Sequence, residues 1–272
     1  MLKQRILTAL ILAPLAAWAI LALPSPLFAL LLGAIILLGA WEWTRLVGLN
    51  SNSGRFGYVA AIGLLLGTVY PLTAAHGSVV AIGASAVVWW IVALVAVLRY
   101  PAGIETWRQN KMARALAGAF VLLPAWGCLV ILQRAPGPGF VLLLVVLIWG
   151  ADTGAYFAGR RWGRHRLAPQ VSPGKTWEGV GGGAAVALAA GAAGWFWLRP
   201  EVMLPGFLAL CALTIGFSVL GDLSESMFKR MMNVKDSGGL LPGHGGILDG
   251  IDSLTAAAPF FALGFYGLRA WA

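Results

Sequence analysis

Nine apolar runs succeed one another along the 272 residues, each close to the ~20 residues that a helix needs to cross a bilayer, and they leave little chain for anything else. They fall near residues 6–23, 27–47, 56–75, 79–98, 115–132, 140–158, 177–198, 203–220 and 247–268. A soluble domain would alternate apolar and polar faces, whereas these segments are apolar all round. With 60% hydrophobic and 11% charged residues, the expected fold class is an all-α polytopic membrane protein of about nine transmembrane helices. The first run follows Lys3 and Arg5 as a leader would, but no small-residue cleavage pattern succeeds it, so it is expected to stay as a helix.

The loop charges orient these spans. If the N-terminus is cytoplasmic and the C-terminus on the outer side, 16 of the 19 lysines and arginines face inward and only Arg134, Arg199 and Arg269 face outward. This is the asymmetry the positive-inside rule expects. The net charge of +9 therefore belongs to loops that meet membrane lipids, and no nucleic-acid partner is expected. The segment around Trp107 reads as topology signal or interfacial segment. Cys128 and Cys211 sit in apolar runs and read as buried thiols.

The polar residues divide the chain. Residues 1–135 are expected to be scaffold and lipid-facing helices, with Glu42 and Arg45 a local helix-end pair. Residues 136–272 carry the chemistry. Asp152, Tyr156 and Arg160 share one face of the sixth span, and a carboxylate there needs a partner, water or a metal. Ser172, Lys175 and Thr176 open the next helix beside Glu178 and suit a phosphate; a P-loop is excluded, because Pro169 stands where that motif needs glycine. His165 reads as an interfacial bystander. Asp222, Glu225, Ser226 and Lys229 form one helical stripe, and Asp249, Asp252 and Ser253 repeat it on the last helix. Asp222 and Asp249 flank the same loop and can converge on one cation. Oxygen ligands without a Cys/His cluster favour magnesium over zinc.

The run from Ser226 to Asp252, with Lys229-Arg230, Lys235-Asp236, Leu241-Pro242-Gly243-His244-Gly245-Gly246 and Asp249, resembles the signature of phosphatidate cytidylyltransferases. The stretches around Asp152 and from Ser172 to Gly179 resemble that family's other polar segments, so the likeness covers about residues 140–260. It implies transfer of CMP from CTP to phosphatidic acid, giving CDP-diacylglycerol and pyrophosphate, with Mg2+ held by Asp222 and Asp249. It also implies catalytic parts for Lys229, Lys235, Asp236, His244 and Asp252. Substrate-binding parts fall on Asp152, Ser172, Lys175, Thr176, Glu178, Ser226, Arg230, Gly245 and Gly246. A homodimer in the bacterial inner membrane, its site facing the cytoplasm, is implied as well. One position departs: Gly250 stands where the family pattern has arginine, a potential bidentate phosphate donor. A CTP-dependent kinase of polyprenol type shares much of this logic. A CDP-alcohol phosphotransferase lacks its D-G-x-x-A-R continuation here, and a secondary transporter should carry its polar groups nearer mid-bilayer.

Overall fold

The computed structural model describes residues 2–75, 77–240 and 245–271. His76 and His244, both singled out in the sequence, lie outside the described residues. The described residues form ten helices: α1 (Leu2–Ala22), α2 (Ser25–Val47), α3 (Asn52–Leu72), α4 (Ser78–Leu98), α5 (Ile104–Gln109), α6 (Lys111–Arg134), α7 (Pro138–Trp162), α8 (Trp177–Leu198), α9 (Leu204–Met231) and α10 (Ile247–Ala270). Eight of them, α2–α4 and α6–α10, are long and apolar enough to cross a membrane; α1 has a shorter apolar part, Leu10–Ala22. The all-α polytopic membrane architecture is therefore as expected.

Helix α10 runs through the middle, packed on α9, α6, α4, α2 and α7. It can do so because Ala256, Ala257, Ala258 and Ala262 are completely buried small residues that let neighbouring backbones close in. By contrast, α3 buries only Ile62 and Leu66 and turns the rest of its apolar surface outward, as a lipid-facing helix does.

Three local features differ from the expectation. Helices α7 and α9 do not stop where hydropathy falls; each continues as a polar extension, to Trp162 and Met231. In α9 the last turn carries Lys229 and Arg230, cations that suit the negative end of the helix dipole. Between α7 and α8 the chain forms an antiparallel hairpin, β1 (Arg166–Ala168) with β2 (Ser172–Thr176), so Ser172 and Lys175 lie on a strand that leads into the helix. The loop around Trp107 contains the short helix α5, and Trp107 packs edge-on against Trp89 and Phe228.

Candidate active site

Two close helix approaches build the site. Helices α7 and α8 touch through glycines: a methyl group on Gly183 would stand 2.6 Å from the Ala151 carbonyl oxygen. Helices α9 and α10 touch at Gly221, where a methyl would stand 2.5 Å from the Asp252 carbonyl oxygen and 3.0 Å from Ala256 Cβ. Antiparallel packing of α9 on α10 brings the C-terminal part of one to the first turn of the other.

At this meeting point two lysines each hold a carboxylate from another element. Lys175 Nζ of β2 lies 2.6 Å from Asp222 Oδ2 of α9. Lys229 Nζ of α9 lies 2.5 Å from Asp249 Oδ1 of α10 and 3.4 Å from Glu225 Oε1. Asp249 is further bound through Oδ2, which accepts from the backbone N–H groups of Ser237 at 2.9 Å and Gly246 at 2.7 Å and from Ser237 Oγ at 2.9 Å. Its carboxylate thus caps the helix it begins. Asp152 of α7 lies within charge–charge range of Lys175 and Asp222, and Asp252 within range of Asp222 and Lys229. Asp222 and Asp249 consequently sit at the same end of the bundle, each neutralised by its own lysine.

Glu225 has only the longer contact to Lys229, at 3.4 Å. Its side chain is 3% exposed, faces Asp252, and neither carboxylate oxygen has a hydrogen-bond partner among the described residues. It borders a cavity of about 10 Å3, shared with Asp252, Ser224, Trp43 and Trp90, which is room for about one water. Asp152, Asp222, Glu225, Asp249 and Asp252 together set five carboxylates against the two lysines. With Glu225 buried and Asp222, Asp249 and Asp252 half-buried, this excess of negative charge is costly unless a cation answers it.

This donor set fits magnesium. Among the described residues no three His, Cys, Asp or Glu side chains form a ready-made metal cage. Mg2+ commonly takes only one or two carboxylates and completes its shell with phosphate oxygens and water. The N-termini of α8 and α10 also open at this end of the bundle, and both present positive dipole ends to an anion.

The remaining residues expected at the site fall around its rim or hold its frame. Thr176 caps α8, its Oγ1 accepting from Gly179 N at 3.1 Å. Glu178 fastens the loop before the hairpin, accepting from the backbone N–H groups of Arg164 and His165 and meeting His165 Nδ1 at 2.6 Å. His165 is therefore paired, not a bystander. Ser226 Oγ donates to Asp222 Oδ1 at 3.2 Å. Arg230 reaches the Val171 carbonyl at 3.4 Å, while Lys235 and Asp236 are exposed on the loop after α9. Ser172 is half-buried on β2. Gly245 takes a positive φ of 96°, and Gly246 immediately precedes α10 and donates to Asp249. Arg160 reaches Tyr156, four residues before it, instead of Asp152.

The model of the cytidylyltransferase family matches residues 3–267, nearly the whole chain. The chain belongs to the cytidylyltransferase family. A phosphatidate cytidylyltransferase of Pseudomonas aeruginosa is 48% identical over 265 residues, 96% of each chain. One of Haemophilus influenzae is 40% identical over 290 residues, 98% of this chain and 99% of its own. A third, of Bacillus subtilis, is 44% identical over 127 residues, 46% of each chain.

In this cytidylyltransferase two residues of the N-terminal half depart from the local helix-end pair expected of them. Glu42 is not paired with Arg45. It is 2% exposed and accepts from Ile247 N at 3.1 Å and Leu248 N at 2.8 Å, with Ser237 Oγ 3.0 Å from Oε2. Arg45 Nη1 donates to the Ser237 carbonyl at 3.1 Å. The signal available in the sequence was a carboxylate inside an apolar run, which needs a partner in a membrane protein.

Proposed function

We propose that the chain transfers CMP from CTP to phosphatidic acid, giving CDP-diacylglycerol and pyrophosphate, at the cytoplasmic face of a bacterial inner membrane. The observation that carries this reading is the convergence of five carboxylates and two lysines from α7, β2, α9 and α10, in a chain matched nearly end to end by phosphatidate cytidylyltransferases. The positive-inside asymmetry of the loops supports the cytoplasmic placement.

The lipid's phosphate monoester is largely deprotonated at neutral pH. One of its oxygens attacks the α-phosphorus of CTP; a new P–O bond forms, the bond from that phosphorus to the bridging oxygen breaks, and pyrophosphate leaves with the electron pair. No general base is needed, so the protein contributes alignment and charge neutralisation. Asp222 and Asp249 would hold Mg2+, with Glu225 and Asp252 adding negative charge nearby; when bound, the ion offsets the charge of the triphosphate. Lys175 and Lys229 supply mobile cations to phosphate oxygens and neutralise the carboxylates between turnovers. The first turns of α8 and α10 add backbone donors.

The test follows two labels. Purified protein is given phosphatidic acid, Mg2+ and CTP labelled either in cytidine or at the γ-phosphate. Cytidine label in the lipid phase with release of pyrophosphate is the expected result. Lipid that carries the γ-phosphate, with CDP left in water, would establish a lipid kinase and overturn the reading.

A further inference from the structure

We propose that Glu42, on α2 of the N-terminal half, is a positioning residue for the reaction: it sets Ser237, which follows α9, and the first turn of α10, and through them Asp249. The proposal rests on the functional reading above for its effect on rate, though not for its geometry. Each Glu42 oxygen faces the signature region from across the bundle. Oε1 accepts from Ile247 N at 3.1 Å, and Oε2 accepts from Leu248 N at 2.8 Å and lies 3.0 Å from Ser237 Oγ. These are two of the four N–H groups that a helix leaves unpaired at its start, so α10 is capped twice, by its own Asp249 and by a carboxylate about 200 positions away.

Ser237 joins the two caps. Its hydroxyl lies 2.9 Å from Asp249 Oδ2 as well as 3.0 Å from Glu42, and its backbone N–H also donates to Asp249. Ser237 is fully buried, and its carbonyl is fixed by Arg45, one turn on from Glu42. A rigid frame therefore runs from α2 through Ser237 to the Asp249 carboxylate. Two glycines record the same contact. The three atoms nearest to a methyl group on Gly238 all belong to Glu42, namely Oε1, Cδ and Cγ, and a methyl on Gly246 would fall on Glu42 Oε2 and Ser237 Oγ. Glycine stands at both places because the Glu42 carboxylate occupies the space.

The test uses the full chain in detergent or vesicles. Glu42→Gln keeps the volume but turns an amide N–H2 towards a backbone donor. We expect kcat to fall about tenfold, the loss of one charge-assisted hydrogen bond, and the Mg2+ concentration for half-maximal rate to rise. KM for phosphatidic acid should stay near the wild-type value, and the raised Mg2+ requirement is the readout that a smaller folded fraction alone would not produce. Protection against heat by Mg2+ with CTP should weaken in the same variant.

The second arm needs no turnover. Gly238→Ala should lower the melting temperature in the wild type and have no further effect in Glu42→Ala, where the three obstructing atoms are gone. Equal effects of Gly238→Ala in both backgrounds overturn the geometry. A folded Glu42→Gln with wild-type kcat, Mg2+ dependence and CTP protection overturns the positioning role. A wild type that makes no lipid-soluble cytidine defeats the functional reading instead, and leaves the melting arm to judge Glu42.

Discussion

Gly221→Ala probes the approach of α9 and α10 on which the site depends. The added methyl would lie 2.5 Å from the Asp252 carbonyl oxygen and 3.0 Å from Ala256 Cβ. Carbon-to-oxygen contacts between packed helices settle at ~3.4 Å, so the helices must part by about 0.9 Å. Backbone atoms on both sides leave no flexible side chain to give way. Overpacking of this kind costs about 1–3 kcal/mol, which the bundle should survive. The reaction is more sensitive: a shift of about 1 Å in a reacting group costs on the order of 100-fold in rate, and Asp222 and Asp252 move directly with the two backbones. The assay compares initial rates of cytidine transfer for wild type, Gly221→Ala and Gly216→Ala at equal amounts of folded, monodisperse protein. Gly216 lies on the same helix with nothing within 4 Å of an added methyl, so its variant should match the wild type. A Gly221→Ala rate within threefold of wild type, or an equal loss in Gly216→Ala, would refute the reasoning.

Lys175→Met removes the ammonium 2.6 Å from Asp222 and should lower kcat by at least about 100-fold, the scale of a lost transition-state charge contact; a rate within threefold would exclude Lys175 from the reaction. Chelation with EDTA should abolish transfer, and Mg2+ but not Zn2+ should restore it, as the all-oxygen donor set requires; a full rate in excess chelator would remove the metal from the scheme. Gly250→Arg places a guanidinium in the exposed first turn of α10 beside Asp249. It should raise kcat/KM for CTP by up to about tenfold, the worth of one charge-assisted hydrogen bond, and an unchanged value would show that the neighbouring cations already serve that phosphate.

The spans were legible because hydropathy reports directly on burial in lipid: residues 177–198 coincide with α8. The same signal could not mark where α7 and α9 end, since a helix held by its neighbours continues after its side chains turn polar. The hairpin β1–β2 was hidden for a related reason; strands of three and five residues are too short to show a period. At the site, the stripe of Asp222, Ser226 and Lys229 followed from helical spacing alone, while the likeness to the family signature rested on the residues of the run from Ser226 to Asp252. Which lysine meets which carboxylate did not, because Lys175 and Asp222 are brought together only by the packing of β2 and α8 on α9. Glu42 was misread for the opposite reason: an arginine three residues on offered a local partner, and nothing in spacing points to a helix start about 200 positions later.

Helices α8 and α10 begin at the site, whereas α7 and α9 run past it. From Asp152 to Trp162 and from Asp222 to Met231, the rise is about 14–15 Å. The extension of α9 carries Lys229 to Asp249 in the first turn of α10, so the charged groups are spread along it and open at the end of the bundle. A double-chained lipid can stay at its own depth in the leaflet while its headgroup enters from the side. On the proposed function the nucleotide, which is water-soluble and free to travel, would come to the lipid, so that no acyl chain has to be drawn up into water.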